Sequence, residues 1–329
     1  MFNNSSKLIF MIMLMISTIF IISSNSWITM WMGMEINLLS FIPLMSNNKL
    51  MSSEASLKYF LIQTFASSIM LMSMIMTMNY QLILFKMLIM MSILLKMGAA
   101  PFHFWMPIIM EGMSWNNSLL LLTWQKIAPM IMISYMMINK IMFMSITLSA
   151  FIGAIGGLNQ TSLRKLMAYS SINHMSWMLM SIMYSHTMWL MYFLIYSIIM
   201  LTIIINLNSM KISHMNQLFS SFYYNKTLKF LFMMNLLSMG GLPPFSGFLP
   251  KWMLINFMIN NNQFLMLFLL IIFSLITLFY YLRLCFASFM LNYSENNWNN
   301  FCLNNKTINI TLTSLSLFSL LLLPLYFLL

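Results

Sequence analysis

Apolar runs of about 20 residues, separated by clusters of Asn, Ser, Lys and Pro, follow one another along the whole chain. They predict eleven membrane-spanning helices, over residues 8–23, 26–46, 56–78, 82–109, 117–137, 142–160, 166–184, 187–208, 229–258, 264–288 and 308–328. The fourth and ninth are too long to be single straight helices. Period-two alternation is absent, which excludes a β-barrel. The expected fold is an all-α polytopic membrane protein.

Composition supports that reading. Of 329 residues, 61% are hydrophobic and 6% charged, with a mean hydropathy of +0.87, whereas a soluble domain carries about a quarter charged residues. The balance of 15 Lys and Arg against 4 Asp and Glu gives a net charge of +11. Nucleic acid is not the expected partner, because no basic run exceeds the pair Arg164 and Lys165. Sorted by the predicted spans, the cations instead test the segmentation. Lys7, Lys49, Lys58, Arg164, Lys165, Lys211, Lys226, Lys229, Arg283 and Lys306 fall on the side of the N-terminus, and only Lys86 and Lys140 on the opposite side. An odd number of spans then places the N-terminus on the positive inner face and the C-terminus outside. The opening MFNNSSK segment is neither Arg-rich nor followed by a cleavage site, so insertion from the compartment of synthesis is expected.

Cys285 and Cys302 cannot hold an iron–sulfur cluster, which takes four ligands, and His103, His174, His186 and His214 are too scattered for a metal site. The chain has no Val and no Asp but 44 Met. That skew points to an A/T-rich coding bias, and it makes Met packing filler rather than a set of soft-metal ligands.

The two overlong spans match each other. Leu94-Leu95-Lys96-Met97-Gly98-Ala99-Ala100-Pro101 and Leu236-Leu237-Ser238-Met239-Gly240-Gly241-Leu242-Pro243 share L-L-x-M-G-x-x-P. After one inserted residue, Pro244, the match continues through Phe102, Trp105 and Pro107 against Phe245, Phe248 and Pro250. Each is the fourth span in a set of five, so the second set enters the membrane from the opposite side. The expected organisation is a five-helix repeat over 1–140, an inverted repeat over 141–290, and a loop with a C-terminal helix over 291–329. Paired discontinuous helices in inverted repeats are the mark of a transporter core. Proline makes the break, since it lacks a donor for the carbonyl four residues earlier. Pro101, Pro107, Pro243, Pro244 and Pro250 would free the carbonyls of Met97, His103, Met239, Gly240 and Ser246, which in a bilayer require water or a cation. The plainer alternative is a pair of simple proline kinks.

Charge inside a bilayer is expensive, so each intramembrane ionisable group is a functional candidate. Four qualify: Glu35 in the second span, Lys96 before the first break, Lys126 in the fifth span and Lys251 at the end of the second break. One glutamate can neutralise only one lysine, which leaves the others needing water or a route for losing the proton. Lys96 could instead snorkel to an interface. Pro129 lies three residues after Lys126 and would free the Gln125 carbonyl beside it. His103, in the first break, either relays a proton or bonds a freed carbonyl, and His174, which also lies within a span, is a further relay candidate. Glu54, Glu111 and Glu295 fall at span ends or in loops.

At these residues the chain resembles a known family. The blocks Leu95-Lys96-Met97-Gly98-Ala99-Ala100-Pro101-Phe102-His103-Phe104-Trp105, Thr123-Trp124-Gln125-Lys126-Ile127-Ala128-Pro129, Gln160 to Met175, and Gly240 to Trp252 occur in family order. They resemble the mitochondrially encoded chain 2 family of NADH:ubiquinone oxidoreductase, respiratory complex I, in its shortened, arthropod-like form. The resemblance implies an antiporter-like subunit of the membrane arm in the mitochondrial inner membrane, with the N-terminus in the matrix and the C-terminus in the intermembrane space. It implies a proton relay through Glu35, Lys96, Lys126 and Lys251, with His103 and His174 as further candidates. Implied partners are the other membrane-arm subunits, mitochondrially and nuclear encoded, and lipids. It implies no cofactor in this chain, since FMN, iron–sulfur clusters, NADH and ubiquinone belong to other subunits. Consistently, there is no Gly-rich dinucleotide fingerprint here.

Two other functions compete with this one. A stand-alone cation/proton antiporter would share the inverted repeat but would be expected to keep an acidic ligand near the breaks, where this chain has lysine. A haem-bearing subunit would need facing His pairs, which the four scattered His do not supply.

Overall fold

The computed structural model describes residues 4–47, 49–80, 82–221, 226–291 and 313. The expected C-terminal span at 308–328, Glu295 and Cys302 lie outside the described residues. Among the described residues every extended regular element is helical, and the one β-bridge joins Ser162 to His214. The chain divides into two compact units with the boundary between Ser149 and Ala150.

The first unit begins with α1 (Asn4–Ser23), α2 (Trp27–Met45) and α3 (Leu50–Tyr80). Their apolar residues point two ways: Leu14 and Ile21 are buried between helices, while Leu8, Ile12, Ile16 and Ile19 on α1 stay exposed, as suits a lipid-facing wall. Two shorter helices, α4 (Ile83–Met97) and α5 (Trp105–Gly112), flank the first break. An edge-to-face series of rings, Phe41 on α2, Tyr59 on α3 and Trp105 on α5, packs beneath it at centroid distances of 5.3 and 6.0 Å. The unit continues through α6 (Trp115–Leu122) and α7 (Trp124–Tyr135) into α8 (Asn139–Gly157).

The second unit contains α9 (Leu163–Tyr184), α10 (His186–Ser209), α11 (Met215–Ser221), α12 (Lys226–Gly240), α13 (Phe248–Asn260) and α14 (Phe264–Phe286), closed by a π-helical turn, Ala287–Leu291. Helix α9 is buried almost throughout from Leu166 to Ile182, polar residues included. Gly153, Gly156 and Gly157 bring α8 close to the Asn173 backbone and the Tyr169 and Tyr280 rings.

Among the described residues six helices are long and apolar enough to cross a membrane, namely α1, α2, α3, α8, α10 and α14. The segments expected at 82–109 and 229–258 are occupied by the interrupted pairs α4–α5 and α12–α13, and that at 166–184 by the polar, buried α9.

The two breaks share one backbone design. Helix α4 ends at Met97, Gly98 turns left-handed with φ 72°, and α5 starts at Trp105. Helix α12 ends at Gly240, Gly241 turns left-handed with φ 85°, and α13 starts at Phe248. Every landmark recurs 143 positions later (97 to 240, 98 to 241, 105 to 248). The hydrogen bonds recur too. Gly98 N–H donates to Leu95 at 3.1 Å as Gly241 does to Ser238 at 3.0 Å; Phe102 donates to Ala99 at 2.9 Å as Phe245 does to Leu242 at 3.0 Å. At this offset Pro101 corresponds to Pro244, so the extra residue of the second copy precedes the break instead of following Pro243. The left-handed glycine ends each helix and sets the register, and in the second copy it is Gly241, one position after the glycine that the L-L-x-M-G match aligns.

Two further expectations are corrected. The carbonyls of His103 and Ser246 are not left free by Pro107 and Pro250, because the N–H groups of Met106 and Leu249 donate to them at 3.1 and 3.3 Å in tight turns. The segment at 117–137 is not one helix either. It is interrupted at Thr123, whose hydroxyl and N–H both bond the Leu119 carbonyl at 2.7 and 3.0 Å, and this side-chain competition ends α6. Pro129 sits inside α7, which continues past it.

Glycine is required most strictly where the chain crosses itself. A Cβ on Gly98 would demand a left-handed non-glycine residue, costing about 1–2 kcal/mol, but a Cβ on Gly247 would be driven into the Ser238 backbone carbonyl. Gly247→Ala is therefore expected to lower the thermal unfolding midpoint more than Gly98→Ala; equal losses would show that the close approach is not limiting.

Candidate functional site

In the first unit two of the predicted residues, Lys96 and Lys126, line one cavity, and a third, Glu35, faces Lys96. Lys96 occupies the last turn of α4, immediately before the left-handed Gly98, and is 7% exposed. Its Nζ lies 4.0 Å from Oε1 of Glu35 on α2. Neither atom has a direct hydrogen-bond partner, a separation at which a bridging water is the ordinary arrangement. At 4 Å and an effective dielectric constant of about 20, the attraction is about 4 kcal/mol. Snorkelling is thereby set aside for Lys96: its side chain faces the interior.

Lys126 is the third residue of α7, in the first turn after the Thr123 interruption, and is fully buried. It lines the same cavity as Lys96, together with Asn37, Tyr59, Gln63 and Gln125. The space available to water centres is about 20 Å³, enough for about one water molecule. Two amide side chains organise the walls. Gln63 Nε2 donates to the Lys96 carbonyl at 3.3 Å, which occupies one of the acceptors left open at the end of α4. Gln125 Nε2 donates to Asn37 Oδ1 at 2.9 Å. Trp105 Nε1 donates to the Leu95 carbonyl at 3.0 Å, tying α5 back to the end of α4.

His103 is not among the residues lining this cavity. Its Nδ1 lies 3.3 Å from the Pro101 carbonyl and its ring against Phe104 at 4.2 Å, so it belongs to the turn that forms the break. The helix dipoles treat the lysines differently. The C-terminal end of α4 favours a cation at Lys96, while the N-terminal end of α7 opposes one at Lys126.

In the second unit Lys251 lies in the first turn of α13 and is buried. Its Nζ donates to the Gly240 carbonyl at 2.9 Å. Pro244 leaves that carbonyl without a helical donor, so the cation fills the vacancy the proline creates. The ammonium also stands 5.8 Å from the centre of the Trp177 ring on α9. One turn earlier on α9, His174 Nδ1 lies 3.0 Å from the Tyr192 hydroxyl, with its ring 5.1 Å from that of Tyr196. Tyr192 and Tyr196 are four residues apart on α10 and so share a face.

The two lysines of the breaks are not equivalent in position. Lys96 precedes its left-handed glycine and Lys251 follows its own, so one shared backbone design presents the cations from opposite sides of the interruption. Asn37, Gln63, Gln125, Trp177, Tyr192 and Tyr196 did not stand out in the sequence, where attention to full charges passes over neutral amides and phenols. The available signal was the cost of burying an amide without a partner, which makes Asn and Gln in apolar spans worth pairing.

The chain is similar to known proteins in sequence and in fold. Residues 24–82 and 75–277 match the family described as NADH:quinone oxidoreductase/Mrp antiporter, transmembrane, and residues 278–329 match NADH dehydrogenase subunit 2 C-terminus. The chain is 53% identical to NADH-ubiquinone oxidoreductase chain 2 of Anopheles gambiae, over 93% of each chain. It is 51% identical to the protein of that name in Aedes aegypti, over 98% of each. Among solved structures, a chain of respiratory complex I from Thermus thermophilus superposes with a TM-score of 0.87 at 22% identity, over 99% of this chain and 80% of that one.

Proposed function

Because this chain belongs to the NADH:quinone oxidoreductase/Mrp antiporter family, and within it to the NADH-ubiquinone oxidoreductase chain 2 proteins, we propose that it moves protons along Glu35, Lys96, Lys126 and Lys251. It is an antiporter-like subunit of the membrane arm of respiratory complex I, the proton-translocating NADH:ubiquinone oxidoreductase. It is a multi-pass mitochondrial membrane protein whose partners are other complex I subunits.

The observation that carries the relay is the single cavity that Lys96 and Lys126 share, with Glu35 4.0 Å from Lys96. A charge change arriving along the membrane arm draws Glu35 away from Lys96. The Lys96 ammonium then loses its counterion and hands a proton across the cavity to Lys126. Lys126, in a helix N-terminus that opposes positive charge, passes it on toward Lys251. His174, held by Tyr192, serves as a further proton donor or acceptor in the second unit, while His103 holds the first break. Reduction of quinone supplies the energy elsewhere in the enzyme, and NADH, FMN, the iron–sulfur clusters and ubiquinone are bound by other subunits. The five-helix repeats at 1–140 and 141–290 are inverted, with the basic N-terminal side facing the matrix and the C-terminus in the intermembrane space.

Lys251 provides the test, because arginine can imitate its charge but not its loss of a proton. In the assembled enzyme reconstituted into vesicles, Lys251→Met and Lys251→Arg are both expected to lower the protons moved per NADH oxidised, by similar factors. Arginine restoring the wild-type ratio would make the cation a structural partner of the Gly240 carbonyl; wild-type ratios in both variants would overturn the relay.

A further inference from the structure

Glu35 and Lys126 sit on different helices, and the relay requires a charge change at the first to be felt at the second. One direct polar link between those helices lies at the cavity wall. Asn37, two residues after Glu35 on α2, accepts through Oδ1 from Nε2 of Gln125, the residue before Lys126 on α7, at 2.9 Å. Asn37 is 3% exposed and both side chains line the cavity.

The local backbone makes this link mechanically significant. The first turn of α7 is bounded on one side by the interruption at Thr123. On the other, Pro129 deprives the Gln125 carbonyl of its helical donor. The turn that carries Lys126 is thus held by fewer backbone hydrogen bonds than an interior helical turn, and side chains decide where it rests. A neutral amide pair suits that task, since it opens and closes without stripping water from a full charge.

We propose that the Asn37–Gln125 pair is a latch that sets the position of Lys126 relative to the Glu35–Lys96 pair, and that its opening and closing couples α2 to proton transfer. Both are positioning residues: they act through Lys126 and do not themselves carry the proton. The inference rests on the relay of the preceding section.

The test uses the assembled enzyme in vesicles, reading protons moved per NADH oxidised alongside the rate of quinone reduction. Asn37→Leu and Gln125→Leu remove the bond while keeping a side chain of similar length, apolar at its tip. The double swap Asn37→Gln with Gln125→Asn keeps its total length. Each leucine variant is expected to shift the latched population by about fivefold, the equivalent of one neutral hydrogen bond, and so to lower the proton ratio, while the swap returns it to within about twofold of wild type. A purely structural pair would affect the amount of assembled enzyme and leave the ratio alone. Should the leucine variants not assemble, Asn37→Ser, too short to reach Gln125, gives the same reading. Wild-type ratios in the leucine or serine variants, or a swap as defective as the single changes, overturn the latch. Lys126→Met in parallel separates the two ideas: if it lowers the ratio while Asn37→Leu does not, only the latch fails, and if neither does, the relay fails first.

Discussion

Lys126→Met in the assembled enzyme is expected to remove the proton transfer that runs through this chain while leaving assembly intact. Methionine has nearly the length of lysine without the ammonium, and replacing a buried polar group by an apolar one of similar volume is commonly neutral or stabilising. What is lost is the carrier that the proposed relay requires. Lys126 is fully buried and lines the cavity with Lys96 as the other basic side chain, so without it a proton leaving Lys96 would have to cross a stretch whose neutral amides and phenol do not readily take it up. Carrying bare charge through such a region costs about 3 kcal/mol on insertion scales, which slows transfer by roughly a hundredfold. Proton flux at fixed NADH, measured in vesicles with quinone reduction followed in parallel, should fall accordingly. Unchanged flux would sink the relay, since no other route through the cavity has been assigned.

Much of this site was legible before any coordinates, for a physical reason. A bilayer penalises charge so heavily that Glu35, Lys96, Lys126 and Lys251 stand out from 329 residues by position alone, and the Gly-Pro clusters announce where helices must stop. The register of the second break was not legible, because L-L-x-M-G compares side chains while the helix end depends on which glycine turns left-handed; Gly240 and Gly241 are adjacent and only one does. The interruption at Thr123 gave no warning, having neither Gly nor Pro, and Pro129 drew attention to the wrong place. Helix α9 has no polar side to reveal its orientation, since it is buried on nearly every face. The amides of Asn37, Gln63 and Gln125 acquire meaning only through partners 33 to 88 residues away in sequence.

The Glu35–Lys96 pair yields the second large expected effect, and burial makes it asymmetric. The Lys96 side chain is 3% exposed and that of Glu35 24%, so the carboxylate can still draw on water if its partner is lost, whereas the ammonium cannot. Glu35→Gln removes an attraction of about 4 kcal/mol at an effective dielectric constant of about 20. Part of this is offset by the carboxylate's recovered desolvation, but the buried ammonium is left uncompensated, so the net loss is about 3 kcal/mol. Lys96→Met should cost under about 1 kcal/mol, and the double change should return close to wild-type stability because no isolated charge remains. Thermal dissociation of the chain from the assembled enzyme measures this order. Proton flux should behave differently: each single change and the double change should lower it by similar factors, because a donor and its counterion act as one unit and their losses do not add. Stability that falls further with Lys96→Met than with Glu35→Gln would mean that Glu35, not Lys96, is the desolvated member. Flux losses that multiply in the double change would mean that the two residues act in separate steps, and the transfer from Lys96 to Lys126 would then need a trigger other than Glu35.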